Sequence, residues 1–82
     1  MRLPRDLSGH ELAKLLRTHG YEITRQTGSH IRLSSNRKDI QHHVTVPSHK
    51  VLKIGTLSGI LSDVATYLKV DRQQLEKDLF EK

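Results

Sequence analysis

The spacing of the apolar residues changes twice along this chain, and these changes restrict the folds that it can adopt. Apolar residues recur every three or four positions in residues 12–16, every second position in parts of residues 21–46, and every three or four positions again in residues 57–68. The first and last spacings predict helices with one buried face, whereas the alternation predicts strands with one buried face. The sequence therefore predicts a helix, then a sheet, then helix again.

A capping motif marks the start of the first helix, which we expect over residues 8–19. Ser8 and Glu11 have the spacing of a capping box, in which each side chain satisfies the free backbone N–H of the other residue. Gly20 stands where a left-handed residue commonly ends a helix, and Tyr21 can fold back onto the apolar stripe. The capping box, the apolar stripe and the terminal glycine all predict the same amphipathic helix.

A short turn between two alternating segments predicts a β-hairpin. We expect strands at residues 24–26 and 29–33, joined by a turn at Thr27 and Gly28 in which the glycine takes a positive φ. Because side chains alternate across a strand, the apolar ones face the core and the polar ones face solvent. The expected core set is Tyr21, Ile23, Ile31 and Leu33, and the solvent set is Glu22, Thr24, Gln26, His30 and Arg32.

A third strand is expected after a polar connection. Residues 41–46 alternate, which places the two valines inside and His43 and Thr45 outside, and Pro47 ends the strand. Three consecutive strands with short connections most simply form an antiparallel meander. One face of such a sheet has to be covered by helices.

The rest of the chain predicts two more helices. We expect Thr56 to cap the second helix, where Gly59 indicates either a close neighbour or a tolerated weak helix former. Asp71 and Gln74 have capping-box spacing and predict a short third helix to Phe80. The fold class is α+β, with the order α-β-β-β-α, the helices on one face of a three-stranded antiparallel sheet, and a short C-terminal helix. This order resembles the double-stranded-RNA-binding fold.

Size and composition predict one folded domain over residues 1–82. The chain has 82 residues and no cysteine, which excludes disulfides and thiolate metal ligands and leaves packing to stabilise the fold. No apolar run approaches the roughly 18 residues of a membrane span, and the N-terminus lacks the apolar segment of a signal peptide. We therefore expect a cytoplasmic protein without a membrane partner.

The positive charge is concentrated in the first two-thirds of the chain. The formal net charge is +5, and residues 1–56 carry ten Lys and Arg against four Asp and Glu, whereas residues 57–82 carry four against five. Such a surface attracts polyanions through a salt-dependent interaction that does not read sequence. A surplus of this size also keeps a small protein soluble, so charge alone leaves both interpretations open.

The candidate for chemistry is His30 on the solvent face. RNA cleavage without a metal ion needs a base for the ribose 2′-hydroxyl, an acid for the leaving 5′-oxygen and cations for the charge on the phosphorane. His30 and Arg32, with His43 across the sheet, could supply these groups, although an exposed histidine is most often ordinary surface. His42 and His43 are adjacent and point to opposite faces, which argues against a metal site.

Three short motifs resemble one known family. They are RQTGSH at residues 25–30, VTVPSH at residues 44–49 and KIGTL at residues 53–57. In this order and spacing they resemble the HicA (YcfA-like) toxins over residues 7–68. Members of that family are small RNA-cleaving toxins of bacterial and archaeal toxin–antitoxin pairs, with a fold like the double-stranded-RNA-binding domain. The resemblance implies a metal-independent endoribonuclease that uses no cofactor, cleaves mRNA and blocks translation.

The resemblance also implies roles for particular residues and a partner. The family's catalytic histidine lies in its glycine-serine-histidine motif, which here is His30, and Gly28 and Ser29 are expected to shape the turn that presents it. A HicB-type antitoxin is implied to cover the active face. We further expect RNA contacts from Arg32, His43, Lys50 and Lys53.

Other interpretations stay open from the sequence. A non-catalytic RNA-binding or protein-interaction module on the same fold would carry the same charge and the same elements. His49 belongs to the second motif, but its position after Pro47 equally fits a loop residue engaged in backbone hydrogen bonding. A homo-oligomer is also compatible with the sequence.

Overall fold

The computed structural model describes residues 3–81, which form three helices and three strands. In chain order these are α1 (Gly9–Arg17), β1 (Glu22–Gln26), β2 (His30–Ser35), β3 (His42–Pro47), α2 (Ile54–Leu68) and α3 (Arg72–Phe80). β2 is the central strand and pairs antiparallel with both of its neighbours. The predicted α+β fold with an antiparallel three-stranded meander is confirmed.

Both ends of α1 form as the sequence predicts. At its start the Ser8 hydroxyl accepts a hydrogen bond from the Glu11 N–H (3.0 Å), and the Glu11 carboxylate accepts one from the Ser8 N–H (2.9 Å). At its end Gly20 has a φ of 92°, and the Tyr21 N–H donates to the Leu16 carbonyl oxygen (3.3 Å), as in a Schellman motif. The capping box and the glycine therefore set the length of this helix.

The capping box makes part of the stability depend on pH. Hydrogen bonding to the backbone of Ser8, and secondarily to its side chain, lowers the pKa of Glu11 below its usual 4.5. Because the folded-state pKa is the lower one, this stabilisation is complete above the unfolded-state pKa and is lost as pH falls through the folded-state value. Between about pH 6 and about pH 3, we expect the urea midpoint of the parent to fall further than that of Glu11→Gln. Equal decreases in the two proteins would contradict this role.

α1 and α2 cover one face of the sheet. α1 contacts all three strands and α2 contacts β3, and between them lies a continuous apolar core. The strand residues predicted to face inward from β2 and β3 are buried there, including Ile31, Leu33 and Val46. The helices contribute Leu12, Leu16, Leu57, Leu61 and Val64 to the same core. The opposite face of the sheet is left for other contacts.

α2 begins earlier than predicted. Its N-cap is Lys53, whose side chain makes no capping hydrogen bond and whose carbonyl oxygen accepts from the Leu57 N–H (2.9 Å). Thr56 lies inside the first turn, so the prediction that it is the cap is wrong. A Cβ on Gly59 would meet no atom within 4 Å, so close packing does not explain this glycine. Within residues 3–81, no helix has the length and apolarity that a membrane crossing requires.

α3 packs on α2 and belongs to the folded core. The Asp71 carboxylate accepts a hydrogen bond from the Gln74 N–H (3.2 Å), which confirms the predicted cap. The Gln74 side chain donates to Asp78 (2.9 Å) instead of closing a capping box. Leu75 and Leu79 are buried, which accounts for the apolar positions of this short helix.

A close backbone contact joins α1 to the end of β3. The Gly9 N–H donates to the His49 carbonyl oxygen (2.9 Å), and a Cβ on Gly9 would lie only 1.9 Å from the Pro47 carbonyl oxygen. Glycine alone permits this approach without a shift of the backbone. The contact fixes the segment after β3, which also borders the turn between β1 and β2.

A β-bulge interrupts the pairing of β1 with β2. Ile23 lies opposite Leu33, as regular alternation predicts. The next pair is Arg25 with Arg32, which leaves Thr24 as the extra residue of the bulge. Because directly opposed residues share a face of the sheet, Arg25 lies on the same face as Arg32.

Two sequence predictions about β1 are wrong, one because of the bulge and one because β1 lies at the edge of the sheet. Gln26 lies opposite the buried Ile31, so it belongs to the helix side of the sheet and not to the solvent face. Ile23 does face the helix side, but it is 41% exposed because β1 is an edge strand whose outer margin the helices leave uncovered. The prediction that Ile23 is a core residue is wrong.

Candidate functional site

The uncovered face of the sheet carries polar and charged side chains from all three strands, and we call it the open face. Arg25, His30, Arg32, His43 and Thr45 on this face are exposed to solvent. The full set is Glu22, Thr24 and Arg25 of β1, His30, Arg32 and Ser34 of β2, and His43, Thr45 and Pro47 of β3.

A tight turn places His30 at the start of β2. The Thr27 N–H donates to the His30 carbonyl oxygen (2.9 Å), and the His30 N–H donates to the Thr27 hydroxyl (3.2 Å). Gly28 and Ser29 are the two residues between them, and neither has a positive φ. The predicted positive φ of Gly28 is wrong, because a threonine side chain supplies an acceptor for His30 and the turn closes without left-handed backbone.

The segment after β3 holds the same turn from the other side. The Ser48 hydroxyl donates to the Gly28 carbonyl oxygen (2.8 Å), and the Ser48 N–H donates to the Ser29 carbonyl oxygen (3.0 Å). His30 itself lies opposite Pro47 in the sheet. Together with the contact between this segment and α1, these bonds fix the backbone around His30.

The His30 side chain is exposed, and its ring contacts the neighbouring serine. Its Nδ1 lies 3.1 Å from the Ser29 hydroxyl oxygen. A hydroxyl can both donate and accept, so this contact suits either tautomer of the ring. Within the described part of the chain, Nε2 of His30 has no hydrogen-bond partner, so this nitrogen is available to take or release a proton.

His43 does not lie beside His30. It is opposite Ser34, whose hydroxyl oxygen lies 2.6 Å from Nδ1 of His43. Ser34 is four positions from His30 along β2, which corresponds to about 13 Å at the usual rise of a strand. The predicted approach of the two histidines across the sheet is wrong, and an RNA contact by His43 stays a prediction.

Arg25 is the residue of the open face that the sequence prediction missed. It lies opposite Arg32, which has Thr45 on its other side, so the three side chains form one row across the sheet. Neither arginine forms a salt bridge within residues 3–81, and the acidic Glu22 lies further along β1, opposite Ser34. Arg25 is the first residue of the motif RQTGSH, so the sequence does draw attention to it. Strict alternation along β1, however, would place its side chain on the helix side of the sheet.

Lys50, Lys53 and His49 are exposed in the connection between β3 and α2. This connection begins at Ser48, beside the hairpin turn, and ends at Lys53, the N-cap of α2. The His49 carbonyl oxygen accepts the hydrogen bond from α1, which confirms backbone bonding for this loop residue. The connection therefore adds positive and titratable groups next to the turn.

His42 lies on the helix side and supports the fold. Its Nδ1 is 2.7 Å from the Tyr21 hydroxyl oxygen, and its Nε2 is 3.3 Å from an Asp63 carboxylate oxygen. Its ring also stacks on Tyr67, with 4.6 Å between the centroids. Burial, with smaller contributions from Tyr67 and Asp63, raises the pKa of Tyr21 well above its usual 10.0. The predicted opposite orientation of His42 and His43 is confirmed.

The open face can combine proton transfer with binding of an anion. Histidine exchanges protons near neutral pH, and guanidinium groups bind phosphate oxygens through two parallel hydrogen bonds. Across residues 3–81, no three His, Asp or Glu side chains are grouped so that they could hold a metal ion. The fold and this face define a class, that of a small α+β protein with an exposed histidine on a basic sheet surface.

A comparison with protein families identifies the family of this chain. The family model described as the HicA toxin of bacterial toxin-antitoxin matches residues 9–65, which is more than half of the 82 residues. The chain therefore belongs to the HicA toxin family, the toxins of toxin–antitoxin pairs. The matched region contains the whole sheet and His30, and it excludes α3. Comparisons with curated proteins and with solved structures gave no match.

Proposed function

We propose that this toxin is an endoribonuclease that cleaves mRNA without a metal ion and thereby blocks translation. The observation that carries the proposal is the placement of His30, which is exposed at the start of β2 while its backbone is held by Thr27. Membership of the HicA family supports it, because the sequence resemblance implies that the histidine of this motif acts on RNA.

The proposed reaction uses the 2′-hydroxyl of the RNA as the nucleophile. A base removes the hydroxyl proton, the 2′-oxygen forms a bond to phosphorus, and the 5′-oxygen leaves with a proton from an acid. The products are a 2′,3′-cyclic phosphate and a 5′-hydroxyl. His30 takes or gives one of these protons through Nε2. Arg32, two positions along the strand on the same face, holds the RNA at His30 by binding a phosphate.

The other cations of this region bind the RNA on either side of the cleaved bond. Lys50 and Lys53 lie in the exposed connection that starts beside the turn, and His43 lies at the far end of the open face. Each contact with a phosphate adds to affinity without reading sequence, and each is weakened by salt. These three residues therefore contribute to RNA affinity more than to the chemical step.

The proposed protein partner is a HicB-type antitoxin that covers the open face. The two helices that pack on the sheet occupy its other side, so a partner can reach His30 and the arginines together. An acidic surface on the antitoxin would complement the guanidinium groups of Arg25 and Arg32 and exclude RNA.

Incubation of the purified chain with mRNA in EDTA tests this proposal. We expect the RNA to be cut at the same rate with and without the chelator, because His30 supplies the proton transfer and no step of the proposed reaction uses a metal ion. RNA that is shifted on a native gel but stays intact would contradict cleavage and favour a non-catalytic RNA-binding module. RNA that is neither bound nor cut would instead favour a module that acts through protein contacts alone.

A further inference from the structure

We propose that Arg25 and Arg32 form a clamp for one RNA phosphate that neighbours the cleaved one, with the Thr45 hydroxyl as a third ligand. This inference rests on the proposed function, since it assigns a subsite for the same substrate. It gives Arg25 a role that follows from the register of β1 and β2 and not from the local sequence pattern.

The first argument is the cost of placing two arginines opposite each other. Like charges on directly opposed residues of neighbouring strands destabilise a sheet. Arg25 reaches this position only because the bulge at Thr24 shifts the register of β1 by one residue. Within residues 3–81, no carboxylate bonds to either guanidinium group. The two arginines therefore need an anion from outside the protein to offset their repulsion.

The second argument is the fit of this anion. Directly opposed residues have Cβ atoms about 5 Å apart, so two guanidinium groups can approach one phosphate from neighbouring strands. Each group offers donors in a planar fork that matches two phosphate oxygens, which a lysine ammonium does not. Thr45, opposite Arg32 on the other side, adds a hydroxyl donor to the same row.

The third argument is the position of the row relative to the catalytic histidine. Arg32 and His30 lie two positions apart on the same face of β2, which corresponds to about 7 Å along the strand. A single RNA strand whose cleaved phosphate lies at His30 can therefore place a neighbouring phosphate in the clamp. This arrangement gives the bound RNA strand a direction, because the clamp lies on one side of His30 and the turn lies on the other.

RNA binding by non-cleaving variants tests the clamp separately from catalysis. His30→Ala serves as the parent, and Arg25→Gln and Lys77→Gln are each added to it. Lys77 is the charge-matched control, because it is exposed on α3, which packs on α2. The probe is a single-stranded RNA of about 20 nucleotides with a fluorescent label, titrated by anisotropy between about 50 and about 200 mM salt.

We expect Arg25→Gln to weaken binding about 10-fold and to reduce the slope of log affinity against log salt by about 0.7 to 1. Lys77→Gln is expected to change the affinity less than about two-fold, since a distant exposed charge is screened. Arg25→Lys should give an intermediate loss because it keeps the charge without the fork. Equal effects of Arg25→Gln and Lys77→Gln would overturn the clamp.

The unfolding midpoint in the absence of RNA supplies the second readout. Removing Arg25 relieves a like-charge contact, so Arg25→Gln should unfold at the same or a higher urea concentration than its parent. A lower midpoint would make Arg25 a structural residue and would overturn the inference. The inference would also be overturned if Arg25→Gln bound RNA as its parent does but bound a HicB-type antitoxin more weakly. That result would assign the two arginines to protein recognition.

The clamp and the proposed function can fail independently. If Arg25→Gln loses RNA affinity, and the protein that retains His30 leaves RNA intact, the clamp is supported and the nuclease is contradicted. Cleavage by that protein, combined with unchanged affinity in Arg25→Gln, would support the nuclease and contradict the clamp.

Discussion

Replacing His30 with alanine is expected to lower the rate of RNA cleavage about 10²- to 10⁴-fold, which is the usual contribution of a positioned acid or base. The side chain is exposed, and within residues 3–81 its one hydrogen-bonding contact is with Ser29, so the fold does not depend on it. The unfolding midpoint should therefore stay within the small range of surface substitutions. Expression of the variant should no longer arrest growth. The measurements are growth after induction and the initial rate of cleavage of a labelled mRNA.

His19→Ala is the matched control for this prediction. Like His30, His19 follows a hydroxyl residue whose oxygen contacts its Nδ1, in this case Thr18 at 2.9 Å. It lies just beyond the end of α1 and not on the open face. We expect His19→Ala to arrest growth as the parent does. A His30→Ala variant that remains as toxic as the parent would show that His30 is not the catalyst.

Gly9→Ala is expected to cause the largest loss of stability among the glycine substitutions. The added Cβ would overlap the Pro47 carbonyl oxygen, and the nearest atoms are all backbone atoms of Pro47 and Ser48, which cannot move aside as a flexible side chain can. Overpacking of this kind costs about 1–3 kcal/mol, a large part of the roughly 5–15 kcal/mol that stabilises a domain. The shift would also disturb Ser48, so the turn that carries His30 should loosen. Urea unfolding followed by circular dichroism measures the effect.

Gly59→Ala provides a control of opposite sign. It is also a helical glycine, but its Cβ would meet open space. Alanine is therefore expected to stabilise α2 by roughly 0.5–1 kcal/mol through its higher helix propensity. Equal stability of the two alanine variants would contradict the account of the contact between α1 and the end of β3.

The helices and the central strand could be predicted because their signals are local. The capping box of Ser8 and Glu11 depends on residues three positions apart, and the structure forms both of its hydrogen bonds. Alternation in β2 also suffices, since this strand is central and its inward residues are covered on one side. The exposed position of His30 follows from the same alternation.

The composition of the open face could not be predicted because it depends on pairing between strands. The bulge at Thr24 shifts the register and brings Arg25 onto the open face, and alternation within β1 carries no sign of it. The bulge arises from pairing between two strands, which the pattern within one strand does not contain. The turn before His30 is local, but the Thr27 side chain accepts a hydrogen bond from the His30 N–H, so the expected glycine conformation is not needed.

The ends of the RNA fragments test the central claim most directly. The parent chain is incubated with a labelled mRNA in EDTA, and the fragments are treated with enzymes that distinguish a cyclic phosphate from a free 3′-hydroxyl. A 2′-hydroxyl attack assisted by His30 predicts fragments with 2′,3′-cyclic phosphate and 5′-hydroxyl ends, produced by the parent and not by His30→Ala. Fragments with 3′-hydroxyl and 5′-phosphate ends, or cleavage that stops in EDTA, would contradict it.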